Sequence, residues 1–458
     1  MFKIFSFIIV IMLAMSYLFS QVYTFDENIR ITELSDNQKF PEITVDENYI
    51  HLAWVSTSGN NKNIMYSRSN NFGESFSPPL QLNLHNNDIV AFSQSGPRVA
   101  AYENKVYITY MDDRTGSWAI YLNTSEDYGN TWQEEVLISD TPYLNGYPDF
   151  EIDMNGNLHL IYYNYAANNH LEDVRYRFSF GNDINFYNST QVGIVDESME
   201  PCDCCQPDLE IDDNGDVYIA YRNNILNNRD TFLAIKRYNQ DTFSEYYQVS
   251  NFNDYITFCP SSGPTIDIKD NYIAVAFTVY YTQNGYTNIS NLDAIDFANP
   301  ININTESNGF PNYPYVLFDD NIHIVWADQA SGNWDVYYGM RDIITGEMQN
   351  IQKINNDDTN YVQKDQIIYM YDDTLYLFWS DQRDGSYEIY LSKGESTFIT
   401  PGDINQDMSV DILDVIILVS FILGQQEPTN IQFMAADINE DNIINIQDVI
   451  LLISLILE

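Results

Sequence analysis

The chain has 458 residues, 45% hydrophobic and 15% aromatic with 36 Tyr and 25 Phe, enough for a large core, more than one domain and a bias toward β-structure. Its 66 acidic residues against 20 basic ones give a formal charge of −46, which repels phosphate backbones and anionic headgroups and so excludes nucleic-acid and membrane-surface partners. Divalent cations and neutral polymers suit such a surface, although acidity of this kind also serves plain solubility.

Lys3 followed by the apolar or small stretch Ile4 to Phe19 reads as an export signal over residues 1–20. Leu18 and Ser20 supply the cleavage context, with the mature start near Gln21. An uncleaved anchor is the alternative. Either way the remainder is expected outside the cell or at its surface, with no membrane span after cleavage.

From Pro41 the chain repeats. Copies open at Pro41, Pro97, Pro148, Pro207, Pro264 and Pro314 and near Asp365, spaced by 50 to 59 residues. Each holds alternating apolar strands such as Ile50-His51-Leu52-Ala53-Trp54 and a Tyr-rich third strand. A period near fifty with three or four short strands predicts a mainly β fold, a seven-bladed β-propeller over residues 21–398. Six outer strands are expected near 80–84, 136–139, 191–194, 247–250, 301–304 and 351–354. The seventh copy lacks one. The unused segment Ile29–Leu34 is therefore expected to close the last blade.

Ser125-Glu126-Asp127-Tyr128-Gly129-Asn130-Thr131-Trp132 fits the pattern S-x-D-x-G-x-T-W, and Ser69 to Phe76 is a looser copy with Asn71 and Phe76 in the Asp and Trp places. This resembles the Asp box, or bacterial neuraminidase repeat, of the sialidase-like propellers. The resemblance covers roughly residues 29–400 and implies architecture rather than chemistry. A sialidase also needs an arginine cluster for the substrate carboxylate, a tyrosine nucleophile and an acid/base carboxylate. The family's early Arg-Ile-Pro motif has no counterpart in Lys39-Phe40-Pro41-Glu42-Ile43. Arg98, Arg114, Arg222 and Arg383 are the arginines placed near the channel mouth. Asp112, Asp113, Asp328, Asp381 and Asp384 share that face with Trp118 and Trp334. Asp112, Asp381, Arg98 and Arg383 are thus the catalytic or sugar-binding candidates, with ordinary turn chemistry as the competing explanation for the aspartates.

Cys202, Cys204 and Cys205 precede the inner strand of blade four, and Cys259 that of blade five, so all four are expected at one rim. In an exported chain they are disulfide candidates: Cys259 to one of the cluster, and Cys204–Cys205 as a vicinal pair. A thiolate site for zinc or copper(I) is the alternative.

The tail carries the strongest motif. Asp403, Asn405, Asp407, Ser409, Asp411 and Asp414 occupy positions 1, 3, 5, 7, 9 and 12 of a loop, and Asp437, Asn439, Asp441, Ile443, Asn445 and Asp448 repeat it 34 residues later. Side-chain oxygens, with a backbone carbonyl at position 7, at this EF-hand spacing suit two calcium ions. An apolar helix follows each loop. The duplicated loops resemble the type I dockerin, which implies a small α-helical module over residues 399–458 and a cohesin-like or other scaffold partner. Position 6 is Met408 and Asn442 rather than Gly, positions 10 and 11 are Ile412-Leu413 and Ile446-Gln447, and no Lys or Arg follows Gly402. The whole predicts an exported, calcium-binding protein whose propeller binds or degrades carbohydrate at the channel mouth in a polysaccharide-catabolism setting. A non-catalytic adhesion or scaffold propeller and an exo-sialidase are the alternatives.

Overall fold

The computed structural model describes residues 20–46, 49–85, 88–140, 144–165, 171–181, 183–192, 200–305, 309–343, 345–357, 359–439, 441 and 443–457. The signal stretch Ile4 to Phe19, Ile194 and Asn442 lie outside them. The chain divides into two compact units, Asp26–Lys393 and a second built from Gly394 onward together with the segment ending at Phe25.

The first unit is a seven-bladed propeller. The inner strands are Asn37–Val45, Arg98–Tyr102, Leu144–Ile152, Asp208–Ile211, Thr265–Lys269, Asn312–Phe318 and Gln363–Tyr371. Each begins an antiparallel meander that runs outward. The second strands, such as Ile50–Ser58 and Lys105–Asp112, are buried almost throughout, because both of their faces meet other blades. One such interface joins Tyr163, Val174 and Tyr176 of blade three to Leu209, Val217 and Tyr221 of blade four. The outer strands are shorter than the alternation predicts, for example Leu80–Gln81 and Val136–Leu137, since they pair on one side only and the chain soon leaves for the next blade. Ile29–Arg30 pairs with Leu391 and Tyr390 as the outer strand of blade seven. Ile31 then donates to the Ile389 carbonyl at 2.8 Å.

A buried His is held between a turn Asp and a third-strand Tyr in three blades: Asp46–His51–Tyr66, Asp153–His159–Tyr176 and Asp319–His323–Tyr338. Recurrence at equivalent positions marks this as blade architecture rather than a reaction centre.

In the second unit Ser20–Phe25 pairs antiparallel with Gly394–Ile399. The compact units divide at Lys393/Gly394. Three helices follow: α1 (Ile412–Ile422), α2 (Asn430–Ala436) and α3 (Ile446–Leu457). Their core is Ile404, Val415, Leu418, Phe421, Ala435, Val449 and Leu452, joined by Val22 and Ile399. No helix of the described residues is long and apolar enough to cross a membrane.

Candidate functional site

The inner strands of blades one, three, six and seven each carry a bulge just before the channel, between Lys39/Glu42, Gly146/Asp149, Asn312/Tyr315 and Lys364/Ile367. One residue at each bulge is left-handed: Phe40, Tyr147, Tyr313 and Asp365, with φ between 54° and 58°. Non-glycine residues pay for that conformation, and bulges of this kind re-aim side chains beside functional sites. The corresponding places in blades two, four and five are Gly96, Gln206 and Gly263, so these seven residues ring the channel mouth.

Within that ring lies a cavity of about 40 Å³, lined by Glu42, Arg98, Gln206, Asp208, Asp365 and Gln366 among others. It has room for a few waters or one polar arm of a ligand. Both carboxylate oxygens of Asp365 lack a hydrogen-bond partner although the residue is only 7% exposed, and the Oε1 atoms of Gln206 and Gln366 are equally unpaired and buried. Their amide nitrogens are committed to backbone carbonyls, including that of Tyr313 for Gln366. Four buried acceptors without a donor are costly, and a hydroxyl-rich ligand supplies the missing donors.

Below the mouth the channel, about 400 Å³, is lined by Glu42, Asp149, Glu151, Asp208, Glu210 and Asp267 against the single cation Arg98 among the described residues. Several of these carboxylates stitch blades together. Asp149 accepts from Leu209 N at 2.8 Å, Asp208 from Ile266 N at 2.7 Å and Asp267 from Phe318 N at 2.6 Å, each satisfying the open edge of the next inner strand. Arg98 donates to Asp149 at 2.6 Å and to Glu42 at 3.0 Å. The alternating acids in Pro148-Asp149-Phe150-Glu151 and Pro207-Asp208-Leu209-Glu210 carry this pattern openly, but read singly they pass for solubilising charge.

Burial pushes Glu42 and Asp267 up to about 7, and burial with neighbouring carboxylates also pushes Glu151, Asp208 and Glu210 well up. Folded-state values above the unfolded ones mean that the native ring holds extra protons from about pH 4.5 upward. This contribution to stability is fully present below about pH 4.5 and is lost as pH rises through 7. Calorimetry should show the propeller transition dropping by several degrees between pH 5 and 8, and Glu210→Gln should flatten that slope. A transition rising over this interval would contradict it. Carboxylates held low, such as Asp153 at about 2 with His159 and Asn157 as donors offsetting burial, act only below this window.

The residues singled out from sequence do not converge. Asp112 is fully buried and accepts from the Arg114 amide at 2.8 Å and from its guanidinium at 2.7 Å. Asp381 does the same for Arg383 and also takes the Trp379 indole N–H at 2.7 Å. Both arginines stack on a third-strand tyrosine, Tyr121 or Tyr390. Asp328 caps Ala330 N at 2.9 Å. These are turn locks, and their side chains have no face left for a sugar. Arg222 is buried on Asp254 and backbone carbonyls. Arg98, Arg114, Arg222 and Arg383 share no partner, so they do not form the arginine cluster that a sialidase would need; of the four, Arg98 alone lines the channel. Trp118 instead joins Tyr147, Tyr165 and Asp113 around a groove of about 540 Å³ on the mouth face. Trp334 lies 6.5 Å from Tyr313, centroid to centroid.

The Asp127 carboxylate accepts from Thr131 N at 2.8 Å and from Thr131 Oγ1 at 2.7 Å, while Trp132 packs edge-on against Tyr66 of blade one. Asn71 accepts from Ser75 N at 3.1 Å in the same way. Cys204 is bonded to Cys259. The vicinal Cys204–Cys205 pair therefore does not form, because Cys204 reaches across to the next inter-blade loop. Cys202 and Cys205 are buried free thiols 3.1 Å apart. A hydrogen bond from Cys205 and the adjacent Arg229 guanidinium hold Cys202 down at about 7, while burial pushes Cys205 up. With Cys204 spent and a cation on Cys202, a four-sulfur metal site is not available.

The two tail loops share most of their hydrogen bonds among the described residues. Asp403 accepts from Asp407 N and Met408 N at 3.1 and 2.9 Å; Asp437 accepts from Asp441 N at 3.2 Å. Asp414 accepts from Ile404 N, Asn405 N and Asp411 N, and Asp448 from Ile438 N, Asn439 N and Asn445 N. The side chains of Asn405, Asp407, Asn439 and Asp441 complete each oxygen-lined loop. The donor set is all oxygen, as a hard divalent ion requires. Met408 does adopt the left-handed backbone, with φ 68°.

Residues 401–457 match the dockerin type I domain. Nothing matches among curated protein sequences. The propeller is similar in fold to a polysaccharide lyase, an ulvan lyase, in a complex with -[GlcA(1-4)Rha3S]-: 7% identity, covering 80% of this chain and 95% of that one, TM-score 0.57. Looser likenesses are the Trypanosoma rangeli sialidase (10% identity, 82% and 59% covered, TM-score 0.45) and an α-L-arabinofuranosidase from Fusarium graminearum (13%, 72% and 99%, 0.45).

Proposed function

We propose that this is an exported carbohydrate-active protein: the propeller takes a polysaccharide at its channel mouth, and the dockerin module, folded around two calcium ions by the loops at 403–414 and 437–448, ties it to a cohesin-type scaffold. Type I dockerins generally bind calcium and cohesins, and their proteins are typically extracellular. The observation that carries the propeller's part is the set of buried, unpaired acceptors of Asp365, Gln206 and Gln366, which a sugar's hydroxyls would satisfy. The apolar helix faces support the docking part: Ile412, Ile416, Ile446 and Ile450 are all exposed.

Processing of the glycan has a specific support in Glu42, whose carboxyl keeps a proton near neutral pH beside Arg98. Binding without turnover is favoured by the commitment of Asp149 and Asp208 to neighbouring backbone amides. A glycan array run with parallel turnover assays, in calcium and in chelator, separates the two. Asp365→Asn should weaken the captured glycan at least tenfold while leaving the melting temperature unchanged or higher, since it removes a buried unpaired charge. Undiminished binding in that variant would move the site away from the mouth.

A further inference from the structure

On the opposite face of the ring, blades three and four form a groove of about 460 Å³ with a lining unlike the rest of the surface. Phe180, Tyr187 and Tyr238 stand 58%, 57% and 71% exposed along it. Phe180 and Tyr187 meet edge to face at 5.8 Å, and Phe178 beneath them contacts both. Asn188, Gln240 and Asp241 line the same groove. Clustered aromatic faces left in water mark a binding surface, and alternation with amides and a carboxylate gives it an amphipathic character.

The platform is held rigid. Arg177 donates to the carbonyls of Tyr187, Phe186 and Ile138, which fixes the loop bearing Tyr187. Arg237 is clamped between Asp216 and both oxygens of Glu245, and Tyr238 N donates to Asp216 at 2.7 Å. Gly215 lies under the Tyr238 ring so closely that a Cβ there would come within 2.8 Å of it. The rings are thus presented before any ligand arrives, which lowers the entropic cost of binding.

We infer that this groove is a second glycan-binding site, distinct from the channel mouth, that takes a neutral pyranose chain by stacking sugar faces on Tyr187, Phe180 and Tyr238. Its volume falls within the range of small-molecule sites, roughly 300–1,000 Å³. Neutrality follows from charge: Asp153 and Asp241 outnumber Lys236 in the lining of a molecule of net charge −46, so uronate and sulfate groups are repelled.

The test is calorimetric titration of the full chain, with calcium, against neutral hexasaccharides of glucose, xylose, mannose and galactose. At least one is expected to bind. Tyr187→Ala combined with Tyr238→Ala should weaken it tenfold or more, and Tyr238→Phe should retain it. Four silent titrations would overturn the inference, as would binding abolished by Asp365→Asn but kept by the double variant. Light scattering that shows a dimer lost in the double variant would also overturn it, making the groove an interface between copies. Since both tyrosines are exposed, an unchanged melting temperature in the variants confirms that folding is not what the titration reports.

Discussion

Stripping calcium from the intact protein is expected to unfold residues 401–457 while leaving the propeller folded. The first loop gathers Asp403, Asp407, Asp411 and Asp414 within twelve residues, the second Asp437, Asp441 and Asp448, with no Lys, Arg or His after Gly402 to offset them. Without a cation this repulsion opposes the turns on which α1 and α3 begin, so ion-binding free energy is folding free energy. Far-UV circular dichroism should lose the helical signal of the three helices in chelator and regain it on adding calcium, with calorimetry giving two ions per chain. Asp403→Ala should remove one ion, and Asp437→Ala the other. Met408 sits at φ 68°, a conformation costing a non-glycine residue roughly 1–2 kcal/mol, so Met408→Gly should tighten the first site about tenfold. Helix content indifferent to chelator would refute the calcium-folded module.

Removing residues 28–36 is expected to lower the propeller's melting temperature by roughly 10 °C or to abolish folding. Glu388 explains the size of the effect. It is fully buried and accepts from Arg30 at 2.9 Å, Thr32 Oγ1 at 2.5 Å and Leu34 N at 3.2 Å, all supplied by that segment. A buried carboxylate stripped of its donors costs roughly 3–5 kcal/mol, and the ladder to Leu391, Tyr390 and Ile389 is lost with it. Glu388→Gln gives a graded check where the deletion fails to express, and should fall between the two. Equal melting of intact and truncated protein would show that closure contributes nothing.

Blade number, inner-strand starts and ring closure were legible because a seven-fold repeat amplifies weak local signals. Pro41, Pro148 and Pro207 recur where an inner strand begins or is re-aimed, and the unused Ile29–Leu34 could be matched to a missing strand by counting. Bulges are different: the left-handed turn at Phe40, Tyr147, Tyr313 and Asp365 depends on packing around the channel, which no local preference encodes. Asp112 and Asp381 stand beside aromatics as sugar-binding carboxylates do, yet their Asp-x-Arg spacing is what locks them to Arg114 and Arg383. The channel acids are hidden for the opposite reason, since charge spread over four blades looks like solubility until the strands converge.

The pairing of Ile29 with Leu391 has a consequence for biogenesis. The partners are about 360 residues apart, and at roughly 5–20 residues per second the ribosome needs from about twenty seconds to over a minute to make that span. Throughout this interval the nascent ring lacks its clasp and its last blade an outer edge. Translation order thereby leaves the ring open until the strand ending near Ile399 has been made.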